Sequence, residues 1–262
     1  MRATAVAAIA LVAASALSGC ATKPSANARG WNLEQCADSP SETVDLNRPD
    51  GTKAASVPRA SCVALRSAAE KIQAQAGFKL TRIYIADVKT PNAFATRDKA
   101  GKPVAAVTLG MLTAIGPDEA AWAGLLGHEI AHHVKRHSEA RQGAATTAAV
   151  TGNVLANVVS YAIPGVGGLI GGTLAGTAAQ NAVFGSYTRP QEAEADEVGL
   201  KWMVAAGYDP QGMLRLFKAL SAGGSSSVPA FLSTHPANEE RVKMVEAFIA
   251  SSGGAPPKPS QE

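Results

Sequence analysis

His128-Glu129-Ile130-Ala131-His132 is the stretch on which the reading of this chain turns. It follows the pattern H-E-x-x-H. On an α-helix, His128 and His132 lie one turn apart and project from the same face. Two imidazoles at that spacing can hold one zinc ion from one side. Glu129 follows the first of them, within reach of a water beside the metal. The pattern is the signature of a zinc metalloprotease, with the Glu as general base. The chemistry expected is metal-assisted hydrolysis of peptide bonds.

The flanks support a helix there. Asp118 and Glu119 favour a helix start after Pro117. Trp122, Leu125, Leu126 and Ile130 recur at helical spacing, which predicts one helix over 118–138 with a buried face. Burying two imidazoles and a carboxylate is costly unless something satisfies them. A metal ion does so.

A second polar helix comes later. In Glu192-Ala193-Glu194-Ala195-Asp196, residues Glu192, Ala195, Asp196 and Gly199 fall at helix-compatible spacing, with Leu200 and Trp202 following. Taken alone, this acidic run reads as a solvated helix face. With H-E-x-x-H ahead of it, the chain resembles metallopeptidase family 48, a gluzincin family of zinc peptidases, over roughly residues 60–245. The resemblance implies an α+β fold, a mainly helical zincin-like metallopeptidase domain with a small β-sheet next to the H-E-x-x-H helix. It implies one Zn2+ per chain, held by His128, His132 and Glu192. Catalytic zinc usually takes three protein ligands and keeps one open position. Asp196, one turn beyond Glu192, is then placed to accept a hydrogen bond from a ligating histidine and fix its tautomer. Glu194 is the alternative ligand in a shifted register.

Two further segments share the resemblance. Asn92-Ala93-Phe94-Ala95, followed by Val104–Met111, resembles the family's segment leading to an edge strand before the active-site helix. Residues 80–86 read as a strand, with Leu80, Ile83 and Ile85 apolar. An edge strand offers unpaired backbone groups to an extended peptide; an ordinary core hairpin is the other reading. Ser233-Thr234-His235-Pro236, followed by Arg241, resembles a segment near the C-terminus of periplasmic members. It implies a catalytic-site role for His235, as a fourth ligand that closes the metal or as a donor to a developing oxyanion. By its residues alone, the segment is a helix entry at Pro236. His133 points about 100 degrees from His132 on a helix and is excluded from the same ion. His137, near the predicted helix end, suits the dipole there. Both read as structural or solvent-facing.

The N-terminus carries an address. Met1-Arg2 is followed by apolar or small residues to position 17, and Leu17-Ser18-Gly19-Cys20 resembles the lipobox of bacterial lipoproteins. Residues 1–19 are expected to be a signal peptide, and Cys20 a lipidated first residue. A plain secretory signal is the alternative. Ala21 after the cysteine resembles lipoproteins sorted to the outer membrane, so the expected location is the periplasm, anchored to that membrane. Acyl chains contribute about 0.8 kcal/mol per buried methylene. Cys36 and Cys62 remain, an even pair in an oxidising compartment, expected as a disulfide or else as two thiols.

Residues 20–58 mix Pro, Ser, Asn and Asp and read as a tether with little regular structure. The catalytic domain is expected over 59–250. Within it, residues 143–185 hold no charged residue and read as two small-residue helices joined by a Gly-rich turn, a lid or contact surface beside the cleft. Residues 251–262 read as a disordered tail. A charge of +3 without a basic cluster argues against nucleic acid. The function expected is a zinc metalloendopeptidase acting on misfolded or misassembled envelope proteins. The alternative is a latent, chaperone-like lipoprotein whose zinc is closed by His235.

Overall fold

The computed structural model describes residues 30–98, 100–137, 187–221, 231, 235 and 239–252. The expected signal peptide, Cys20, the 143–185 hairpin, the Pro236 helix entry and the tail beyond Ser252 lie outside these residues.

The chain order is β1 (Gly30–Asn32), α1 (Leu33–Ala37), β2 (Thr43–Asn47), β3 (Lys53–Pro58), α2 (Arg59–Ala76), β4 (Arg82–Ala86), β5 (Ala93–Arg97), β6 (Pro103–Thr108), α3 (Leu109–Ile115) and α4 (Glu119–Val134). Then come α5 (Arg189–Ala205), α6 (Gln211–Ser221) and α7 (Glu239–Ser251). The fold is α+β and mainly helical, with a four-stranded sheet in the order β1-β4-β6-β5 and a separate β2-β3 hairpin. Only β4 and β6 pair in parallel. The inner strand β6 reads Val-Ala-Ala-Val between its ends and is buried on both faces, as a strand covered on both sides requires. β5 lies at the sheet's edge, antiparallel to β6, and borders α4.

Three expectations are corrected here. The 20–58 segment is not a plain tether. From Gly30 onward it carries a strand of the main sheet, a helix and a hairpin, and Leu33, Leu46 and Val57 join the core. Its polar composition hid a period-two pattern, Thr-Val-Asp-Leu-Asn, in which Val44 and Leu46 point inward. Val104–Met111, expected in the segment leading to an edge strand, is an inner strand and only as far as Thr108, whose hydroxyl accepts from the Met111 N–H at 3.1 Å and caps α3. The helix expected over 118–138 ends at Val134, because Arg136 takes a left-handed φ of 57°.

Disulfide Cys36–Cys62 joins α1 to α2. Helix α4 starts on Asp118, whose Oδ1 accepts from the Ala121 N–H at 3.0 Å. Every residue from Ala121 to His132 is buried, so α4 is enclosed on all sides by α2, α5, α6 and β5. Such a helix is normally apolar all round. Here it carries His128, Glu129 and His132 into the interior. Among the described residues, no helix is long and apolar enough to cross a membrane.

Candidate metal centre

Helix α5 opens with Thr188-Arg189-Pro190-Gln191, a capping box with proline in the first turn. Its polar start fixes the helix entry, and Glu192 falls in the first turn facing α4. Its buried residues, Glu192, Ala195, Asp196, Gly199, Leu200 and Met203, form one stripe. The acidic run is therefore split, with Glu192 and Asp196 inward and Glu194 outward.

The inward groups converge. His128 Nε2 and His132 Nε2 lie 3.0 Å apart. Glu192 Oε1 is 3.3 Å from His132 Nε2, and Glu192 Oε2 is 3.6 Å from His128 Nε2. His235 Nδ1 is 3.0 Å from both His128 Nε2 and Glu192 Oε1. One ligand atom from each of His128, His132, Glu192 and His235 lies within 4.8 Å of the others, and all four residues are buried. Two of the buried carboxylate oxygens near this point, Glu192 Oε2 and Glu129 Oε1, have no hydrogen-bond partner. Arg241 Nη1 comes to 2.6 Å from Glu192 Oε2, but off the line of a hydrogen bond, so it balances charge without satisfying the oxygen. Two lone-pair nitrogens and a carboxylate aimed at one dry point suit a small dication with nitrogen and oxygen ligands. Zinc fits that donor set.

A polar shell backs these four side chains. His128 Nδ1 lies 2.7 Å from Asp196 Oδ1. Asp196 is fully buried and is gripped through both oxygens by the Arg241 guanidinium, Nε to Oδ2 at 2.6 Å and Nη2 to Oδ1 at 2.7 Å. Arg241 also donates to the His235 carbonyl at 3.3 Å and lies over the Phe217 ring. Glu129 lies on the β5 side of α4, and its Oε1 is 3.5 Å from His235 Nε2.

The dry setting separates the ionisation of these groups. Burial pushes His132 down to about 2, against the pull of Glu192, which leaves its imidazole neutral as a ligand must be. Burial alone would lower His128 too, but Glu192 and Asp196 lift it above the ordinary histidine value. Burial would raise Glu192, yet His128, His132 and His235 hold it below the usual carboxylate range. Glu129 is different. Burial raises it, and the histidines beside it only partly oppose the shift.

Of the residues singled out in the sequence, the structure brings together His128, Glu129, His132, Glu192, Asp196 and His235. Glu194 is left out; its carboxylate meets Lys135 and His137 instead. His133 faces away and stacks on Phe78. His137 takes the structural one of its two expected roles. It is 5% exposed, and its Nδ1 is 2.9 Å from His132 Nδ1. Sequence reasoning saw it on a continuing helix, and the turn at Arg136 redirects it. Arg241 and Tyr187 were also missed as site residues. Arg241 shares the buried stripe of α7 with Val245 and Ile249, and a lone charge at an apolar position is the signal that marks it. Tyr187 stacks on His132 with ring centroids 3.7 Å apart, and nothing in its local sequence announces this.

Comparison with known proteins gives a consistent picture. The family model described as peptidase family M48 matches residues 62–249. Over 59 residues the chain is 36% identical to the mitochondrial metalloendopeptidase OMA1 of Arabidopsis thaliana, a match spanning 22% of this chain and 12% of that protein. Over 65 residues it is 34% identical to the mitochondrial metalloendopeptidase OMA1 of Schizosaccharomyces pombe, spanning 24% of this chain and 19% of that protein.

Proposed function

The chain belongs to peptidase family M48, and from that premise we propose that it is a zinc-dependent metalloendopeptidase. The observation that carries the proposal is the convergence of His128, His132 and Glu192 from two helices on one buried point, with Glu129 beside it. Bound there, zinc would supply a Lewis acid and a water acidified toward about pH 7.

The remaining steps belong to this chain's side chains. Glu129 takes a proton from the attacking water, and its raised affinity for protons suits a general base near neutral pH. The same carboxyl then delivers the proton to the leaving amine. Asp196 and Arg241 hold His128 in one tautomer. The edge strand β5 runs past Glu129 and offers its outer backbone groups to an extended substrate, so the scissile bond would lie between strand and ligands.

The finer reading follows from the N-terminal sequence. Met1–Cys20 resembles a lipoprotein leader, and a lipid anchor at Cys20 would hold the enzyme at the outer membrane, facing the periplasm. Its substrates there would be misfolded or misassembled envelope polypeptides. The Cys36–Cys62 disulfide supports an oxidising compartment.

A second reading rests on His235. Its Nδ1 stands among the ligand atoms, at 3.0 Å from two of them. A fourth protein ligand gives zinc the closed coordination of a structural site, and the protein would then be latent.

Glu129→Gln tests the main reading. The variant should keep about one zinc per chain and lose about 100- to 10,000-fold in peptide cleavage. Full cleavage by the variant, or wild-type protein that binds no zinc, would overturn it.

A further inference from the structure

We propose that His137 is a positioning residue that orients the His132 imidazole toward the metal, and that Glu194 secures His137 in turn. The inference rests on the reading of His132 as a ligand.

The tautomers leave one consistent assignment. His132 Nε2 faces His128 and Glu192, at 3.0 and 3.3 Å. As a ligand it presents its lone pair there, so its proton sits on Nδ1. That N–H points at His137 Nδ1, 2.9 Å away. His137 must then accept through Nδ1 and carry its own proton on Nε2. An acceptor stands in that direction, because Glu194 Oε2 is 3.1 Å from His137 Nε2. The chain of bonds runs His132 to His137 to Glu194, with every donor matched to an acceptor.

Local structure is built to place this contact. Arg136 takes a left-handed φ of 57°, which a non-glycine residue adopts only at a cost. That turn ends α4 and folds His137 back against the helix, where it is buried. Lys135 Nζ holds the other oxygen of Glu194 at 2.7 Å. Tyr187 stacks flat against the His132 ring. The His132 plane is thus fixed by a ring on its face and a hydrogen bond at its edge.

The two histidine ligands are therefore supported differently. His128 leans directly on a buried carboxylate paired with Arg241. His132 leans on another imidazole, and the carboxylate behind it is half exposed at 45%. Removing support of this kind from a ligating histidine typically weakens metal affinity about 10- to 100-fold.

The test compares wild type, His137→Ala, His137→Asn and His137→Gln in the mature chain. Zinc affinity is measured by chelator competition, and ligand geometry by the visible absorption of the Co2+ form. Asn places its amide oxygen where Nδ1 stood; Gln reaches toward Nε2 instead. His137→Ala should bind zinc about 10- to 100-fold more weakly and shift the cobalt bands. His137→Asn should recover most of the affinity and the wild-type spectrum, and His137→Gln should not. Wild-type affinity and spectrum in His137→Ala, or equal losses in the Asn and Ala variants, would overturn the inference. If His137→Ala does not fold, Glu194→Ala replaces it, with a smaller loss expected in the same direction; no change in affinity or spectrum would again refute the relay. Wild-type protein that binds neither Zn2+ nor Co2+ would instead sink the peptidase reading on which the relay rests.

Discussion

Gly127 and Gly199 meet backbone to backbone where α4 crosses α5. A Cβ built on Gly199 would lie 2.9 Å from the Gly127 carbonyl carbon and from the His128 nitrogen. A Cβ on Gly127 would lie 3.0 Å from the Gly199 Cα. The contact is one residue from His128 and one turn from Asp196. The two glycines thus set the distance between the helices that share the ligands.

Gly199→Ala should accordingly force the helices apart. The cost expected from overpacking is about 1–3 kcal/mol in unfolding free energy. Because the displaced helix carries Glu192, zinc affinity should fall together with stability. Gly127→Ala should do the same more mildly, since its closest approach is slightly longer. Denaturant titration and zinc competition on both variants check this. Loss of stability with unchanged zinc affinity would show that the crossing does not govern the ligand geometry.

Half of this centre is legible in the sequence through local periodicity, and the rest through a family resemblance. His128, Glu129 and His132 sit on one helix, where spacing alone fixes relative direction. Glu192 and Asp196 also stand one turn apart on a second helix, but that spacing alone reads as a solvated face; their inward role is what the resemblance to metallopeptidase family 48 implies. What spacing cannot give is where a chain turns or which distant side chains meet. The partners of His137 depend on the backbone turn at Arg136. Arg241 reaches Asp196 from a helix 45 residues away in sequence, and only the packing of α7 brings them together. The strands before Pro58 were obscured because polar turn residues outweighed a short alternation.

His235→Ala separates an active enzyme from a latent one. If Nδ1, 3.0 Å from both His128 Nε2 and Glu192 Oε1, closes the zinc as the latent reading has it, its removal should weaken zinc binding and raise the rate of peptide cleavage. Cleavage assays and chelator competition on the same preparation give both numbers. A fall in turnover with zinc affinity unchanged would assign His235 to catalysis as a hydrogen-bond donor instead.

Glu119 gives the fold a share of its acid sensitivity. It is the first residue of α4, and its carboxylate accepts from Ser67 Oγ at 2.6 Å, Lys71 Nζ at 3.1 Å and the Tyr208 hydroxyl. Partial burial would raise it, but these donors hold it below the ordinary glutamate value. A carboxylate depressed in the folded state stabilises above its unfolded pKa of about 4.3, and that stability drains away as pH falls through the folded value. Glu119→Gln should cost about 1 kcal/mol at pH 7, a modest figure because the side chain is 36% exposed. The gap between wild type and variant should close as pH drops below about 4. Thermal unfolding from pH 3 to 7 measures it, and a gap that stays constant with pH would assign the effect to packing.

Arg241→Met isolates the charge that holds the buried shell together. Asp196 is 0% exposed, and both its oxygens depend on the Arg241 guanidinium. Breaking one side of a buried pair leaves the other charge uncompensated, at an expected cost of about 3–5 kcal/mol. Methionine fills much of the same volume, so the loss should come from charge more than from packing. The double variant Arg241→Met/Asp196→Asn removes the stranded charge and keeps an acceptor for His128 Nδ1. It should therefore regain part of the lost stability, and the coupling between the two sites should be large and non-additive. If both single variants are mild and their effects simply add, the Arg241–Asp196 pair is not what fixes His128, and the packing of α7 alone must hold the site.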